Sequence, residues 1–95
     1  MSYNLIITAT AEMEIIEACL YYEAVQNGLS DRFLNELYKT YKKLETNPQF
    51  YSYISLTIAK QMRDIAFNTF PYVVVFEIKK QEVIVHAVIN TKRDR

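Results

Sequence analysis

Five of the seven basic side chains in residues 60–95 stand toward the two ends of that segment: Lys60, Arg63, Lys92, Arg93 and Arg95. Cations grouped in this way attract an anionic partner, and beside a reacting phosphate they stabilise its developing charge. The chain holds eleven basic and eleven acidic side chains, so its net charge is zero. The zero hides an asymmetry. Residues 1–59 carry four basic side chains against seven acidic ones, and residues 60–95 carry seven against four. Such polarity steers an anion to one face; chance scatter in a short chain is the alternative. The sole histidine, His86, alternates with Ile84 and Val88 and is read as a hydrogen-bonded structural residue rather than a base. Cys19 has no second cysteine to pair with and reads as a small core residue in a reducing compartment. The sequence shows no metal-ligand spacing, glycine-rich phosphate loop or nucleophile motif, so neither metal nor cofactor is expected.

The stretch Arg63–Ile89 would position these groups. Three runs rich in β-branched and aromatic residues lie close together, broken by short polar links, which predicts an antiparallel meander. Val73-Val74-Val75-Phe76 is apolar without a break and reads as the central strand, covered on both faces. Pro71 lacks a ladder donor and belongs at its start. The second strand is expected to begin near Lys60.

The first half supplies the cover. Tyr3–Thr8 reads as a short strand. Thr10 is the expected cap of a first helix whose buried face runs through Ala11, Ile15, Ala18, Tyr22 and Val25, widened by Met13, Ile16 and Leu20. Asn27-Gly28 ends it. Ser30 is the expected cap of a second helix striped by Phe33, Leu37, Tyr41 and Leu44, with Leu34 and Tyr38 beside them, and Asn47-Pro48 stops it. So short a link makes the helices an antiparallel hairpin, and Tyr22, Tyr38 and Tyr41 are expected in the core. Residues 48–59 carry Phe50, Tyr51 and Tyr53 but no period.

The expected fold is therefore α+β, in the order β-α-α-β-β-β: an N-terminal strand and a helical hairpin packed on an antiparallel sheet of three to four strands. Ninety-five residues, 51% hydrophobic, predict one folded domain over 1–95. The apolar run near the N-terminus is short and lacks a basic flank, so no signal peptide is expected. No run approaches the ~20 apolar residues of a membrane helix. A cytoplasmic protein with no membrane contact is the expectation.

Four pieces of the chain resemble the RelE/ParE superfamily of toxins from toxin–antitoxin operons, which includes plasmid stabilisation proteins. Ala11–Tyr22, with its paired aromatics, is similar to the family's first helix, and Gly28–Leu37 with Leu44 and Asn47-Pro48 to its second. Arg63 with Phe70-Pro-Tyr-Val-Val-Val-Phe76 is similar to its arginine-bearing and Phe-Pro-Tyr strands, and Val83–Asp94 to its closing strand and arginine-containing tail. The chain departs at Asn90, where members often carry a histidine, and after Asp94, where they often carry a proline. The resemblance implies a type II toxin that inhibits growth and is neutralised by a cognate antitoxin. For the ParE-like branch it implies DNA gyrase as target; for the RelE-like branch, ribosome-dependent mRNA cleavage. An inactive partner-binding relic of the fold is a third reading.

Metal-independent RNA cleavage needs a base, an acid and cations around the phosphate. Lys60, Arg63 and Arg93 are the catalytic candidates. No acid or base accompanies them, which favours the gyrase branch. Arg63 alternatively pairs with Asp64 or Glu77 across the sheet. The candidate surfaces for antitoxin or target are Phe33, Phe50, Tyr51, Tyr53, Arg63, Tyr72, Lys92, Arg93 and Arg95, with Tyr72 exposed beside Arg63. The antitoxin segment is expected to be acidic and amphipathic, reaching the hairpin and the basic end of the sheet. Either a homodimer or a heterotetramer with the antitoxin is compatible with the sequence.

Overall fold

The computed structural model describes residues 2–54 and 61–92. Its elements are β1 (Asn4–Ile7), α1 (Ala9–Val25), α2 (Leu29–Thr46), a 3-10 turn (Pro48–Phe50), β2 (Arg63–Ala66), β3 (Tyr72–Lys79) and β4 (Glu82–Asn90). This is the α+β order β-α-α-β-β-β that the sequence predicts. The expected start of the second strand near Lys60 lies outside the described residues, and β2 begins at Arg63.

The four strands form one sheet in the order β1-β4-β3-β2. Strands β2, β3 and β4 make the antiparallel meander, while β1 pairs parallel with β4, so the sheet is mixed. The parallel pairing follows from chain path: the helical hairpin crosses over before the sheet resumes, as a parallel partner requires. Both β3 and β4 are central. Val74 and Phe76 of β3 are fully buried, whereas Val73 and Val75 are half-buried, so β3 is less evenly covered than its apolar run suggests. A register shift at Val75/Phe76 pairs Phe76 with Val85 and Val75 with Ala87. That irregularity leaves His86 as the extra residue of the ladder.

Thr8, not Thr10, caps α1. Its Oγ1 accepts from the Ala11 N–H at 3.2 Å, and its own N–H donates to the Val85 carbonyl at 3.1 Å. The bond to β4 fixes Thr8 where the strand ends, so the cap stands two residues before the expected one. Ser30 is not the cap of α2 either. Gly28 stands there with a φ of +88°, a conformation open to glycine. The side chain comes from the other helix: Glu23 accepts from the N–H groups of Gly28 and Ser30 at 3.0 and 3.2 Å, and from the Ser30 hydroxyl at 2.6 Å. These bonds hold its carboxyl below the usual range.

The core joins Ala11, Ala18 and Tyr22 of α1 to Phe33, Leu37 and Leu44 of α2 and to Val74, Phe76, Val83, Val85 and Val88 of the sheet. Helix α2 buries one stripe and exposes a charged one. In α1 the expected wide face is narrower: Met13, Ile16, Leu20 and Val25 are exposed. A helix apolar around its whole circumference cannot bury every side against one sheet and one neighbour. Tyr38, expected in the core, is also exposed. Tyr41 is half-buried, and its hydroxyl has no partner among the described residues. Burial pushes its pKa up to about 12.

Candidate functional site

Arg63 and the aromatic turn after α2 form the site. Pro48 at the start of the 3-10 turn is buried and sends the chain back along the sheet edge, where Tyr53 bridges to Arg63 in antiparallel pairing. Arg63 pairs in register with Phe76. Its guanidinium donates from Nη1 to the Tyr51 carbonyl at 2.8 Å and to the Gln49 carbonyl at 3.2 Å, and from Nη2 to the Tyr53 hydroxyl at 2.8 Å. It also lies over the Tyr53 ring, 4.0 Å from the centroid. The planar fork suits this bidentate, stacked geometry; a lysine could not reproduce it. The expected pairing of Arg63 with Asp64 or Glu77 is therefore corrected: its partners are backbone carbonyls and a tyrosine. A cation that donates to both carbonyls fixes the turn.

The clamp leaves an aromatic surface. Phe50 is 78% exposed, and its ring meets that of Tyr51 edge-on at 5.3 Å. Tyr51 is half-buried and reaches inward to Phe76. Tyr53 is exposed and lines a cleft of about 470 Å³ with Tyr3, Gln49, Gln61, Arg63 and Ile78. Phe50, Tyr51, Tyr53 and Arg63, four of the expected surface residues, are thus brought together.

Phe33 and Tyr72 do not join them. Phe33 is fully buried, with ring centroids of Tyr72, Phe67 and Phe70 at 5.0 to 5.4 Å. Tyr72 is buried in the same knot, so its expected exposure beside Arg63 is corrected. Proline 71 turns the chain so that Tyr72 enters the core beneath α2 instead of facing solvent. Lys92 lines a different cleft, with Glu14, Glu17, Tyr21 and Ile89. Lys60, Arg93 and Arg95 lie outside the described residues.

His86 places Nε2 2.8 Å from Glu77 Oε1, and Lys79 Nζ stands 3.9 Å from Glu77 Oε2. The histidine is hydrogen-bonded, as its strand position predicts. Two carboxylates hold backbone groups from other elements. Glu36 accepts from the N–H groups of Asn68 and Thr69 and so fixes the β2–β3 turn. Glu14 accepts from the Val88 N–H at 2.8 Å and ties α1 to β4. Their partners are backbone groups distant in sequence, which no side-chain motif announces. No group of three or more His, Cys, Asp or Glu arranged for a metal occurs among the described residues. None of the described helices is long and apolar enough to cross a membrane.

Fold and site together define a small α+β protein whose edge-strand arginine organises its own backbone. The chain belongs to the ParE toxin family of type II toxin–antitoxin systems, parDE: the family model matches residues 5–95. No curated protein matches the sequence at a significant level. Among solved structures it is similar to a chain of the chromosomal ParDE toxin–antitoxin system from P. aeruginosa, at a TM-score of 0.81 and 12% identity, covering 96% of this chain and 98% of that one. It is also similar to a conserved hypothetical protein from Helicobacter pylori solved in solution, at 0.61 and 23%, covering 93% and 92%. At these identities both likenesses are of fold.

Proposed function

We propose that the chain is the growth-inhibiting half of a toxin–antitoxin pair and that it acts by binding its target, DNA gyrase, rather than by cutting RNA. Family membership supplies the toxin reading. The observation that carries the binding reading is the guanidinium of Arg63, directed to Tyr51, Gln49 and Tyr53. Three of the five donors of that guanidinium are taken up by the turn, which ties Arg63 to presenting Phe50 and Tyr53 rather than to a reacting phosphate.

The cognate antitoxin is an acidic, amphipathic segment that covers this aromatic surface. Aromatic side chains around an arginine are the composition of binding hot spots, and the segment's negative charge complements the basic half of the chain. Among the expected contacts Phe33 and Tyr72 drop out, because both are core. Lys92, Arg93 and Arg95 remain as the basic end that would meet the acidic residues.

The test uses the purified chain in two assays. Gyrase supercoiling should be inhibited, and mRNA on programmed ribosomes should stay intact. Codon-dependent cleavage of that mRNA, lost in Arg63→Ala while the variant stays folded, would instead establish the RelE-like endoribonuclease reading.

A further inference from the structure

A polar cleft of about 480 Å³ lies between α2 and the β2–β3 turn. Arg32, Lys39 and Lys43 line it from the helix, and Asn68 and Thr69 line it from the turn. The three cations stand seven and four residues apart. At about 100° per residue they fall within roughly 40° of one another around the helix, and the 1.5 Å rise spreads them over roughly 16 Å. All three are exposed, and among the described residues none takes part in an ion pair. Helix α2 also carries three acids, Asp31, Glu36 and Glu45. Asp31 and Glu45 are rotated by at least about 80° from each of the cations, and neither lines the cleft. Glu36 does line it, but its Oε2 is engaged by the N–H groups of Asn68 and Thr69. The lining therefore carries three positive charges against one negative.

The chemistry of that lining selects the occupant. Its apolar members are Ala66 and Phe70, and the Phe70 ring packs on Tyr22 and Phe33 at 4.9 and 5.4 Å. An amphipathic acidic peptide finds no apolar pocket there, and a single nucleic-acid strand finds no free aromatic face to stack on. Cations strung out over this length form a track rather than converge on one small anion. They suit a row of phosphates, which repeat every ~3.4 Å of axis along each strand of a duplex. Asn35, Asn68 and Thr69 add uncharged side chains of the kind that accompany Lys and Arg on a duplex backbone.

We propose that this cleft binds the phosphate backbone of duplex DNA without reading its sequence. The choice of DNA over duplex RNA rests on gyrase being the target. Strand β2 links the cleft to the aromatic surface: Ala66 borders the one and Arg63 the other. The two positions are about 10 Å apart along the strand, so a target protein on the aromatic surface and its DNA in the cleft can be held together.

Fluorescence anisotropy of a short labelled DNA duplex, titrated with the full chain in the absence of gyrase, tests this. At low salt the dissociation constant should be roughly 10⁻⁴–10⁻⁵ M, and log K should fall against log salt with a slope of about −3. Arg32→Ala, Lys39→Ala and Lys43→Ala should each weaken binding severalfold and reduce that slope by about one. Lys79→Ala, at the end of β3 and outside the cleft, should change neither. The three positions face solvent, so circular dichroism should be unchanged, and if one variant misfolds the other two still decide. No binding to the duplex at low salt overturns the proposal, as does binding that none of the three substitutions weakens. Duplex RNA bound more tightly than DNA overturns it too, as do substitutions that weaken only the binding of the neighbouring gene's product. A chain that binds DNA through the cleft but spares supercoiling fails the gyrase reading alone, and one that inhibits gyrase but ignores DNA fails this one alone.

Discussion

The guanidinium of Arg63 donates to the Gln49 and Tyr51 carbonyls and to the Tyr53 hydroxyl, and so ties the turn after α2 to β2. Its place among the basic side chains that flank the strand meander marks it in the sequence. Its partners are not legible there, because Gln49, Tyr51 and Tyr53 lie in a segment without period, and only the folded path of the 3-10 turn brings their oxygens to the strand. Arg63→Ala should lose about 2 kcal/mol of stability, since charge-assisted hydrogen bonds to two carbonyls are removed together. Chemical denaturation measures this, and Arg63→Lys should recover little of it. Tyr41 makes the opposite case. Its hydroxyl is buried without a partner, so Tyr41→Phe removes a desolvated polar group and should leave stability equal or raise it by up to about 1 kcal/mol in the same measurement.

At the scale of elements, the two helices differ in how much their sequences reveal. The stripe of α2 is regular, and Phe33, Leu37 and Leu44 are all buried as the period predicts. The sequence of α1 is apolar on every side, so periodicity alone cannot select the face that meets the sheet. The caps are set by tertiary contacts as well. Thr8 is held by β4 and Gly28 is served by Glu23, and both partners are tertiary. The cross-helix cap makes a pH prediction. Because the Glu23 carboxyl is held down by its hydrogen bonds to Ser30 and Gly28, its contribution is present above the ordinary value of 4.5 and is lost as pH falls through the lower folded value. Thermal melts should therefore show Glu23→Gln less stable than the parent at pH 7. The difference should shrink as the pH drops below 4.5.

For the whole molecule, the order of elements was legible because each strand and helix carries its own period and punctuation. The parallel pairing of β1 with β4 was not, because alternation says which face of a strand is buried but not which strand lies beside it. The aromatic inventory divides in the same way. Composition shows more rings than a small core needs, and only packing decides that Phe33 and Tyr72 go inside while Phe50 and Tyr53 stay out. Two substitutions separate these sets. Phe33→Ala should cost about 3–4 kcal/mol and threaten folding, because it empties the centre of the aromatic knot. Phe50→Ala should change the melting temperature little and weaken antitoxin binding, read by calorimetry with the neighbouring gene's product.

The claim on which the rest depends is that this chain is a toxin held in check by a partner. Viability of cells producing the chain, with and without the neighbouring open reading frame, tests it most directly. Production of the chain alone should arrest growth, and co-production of the neighbour should restore it. Undiminished growth under strong production of a folded chain, in its native host and in a surrogate, would contradict the account.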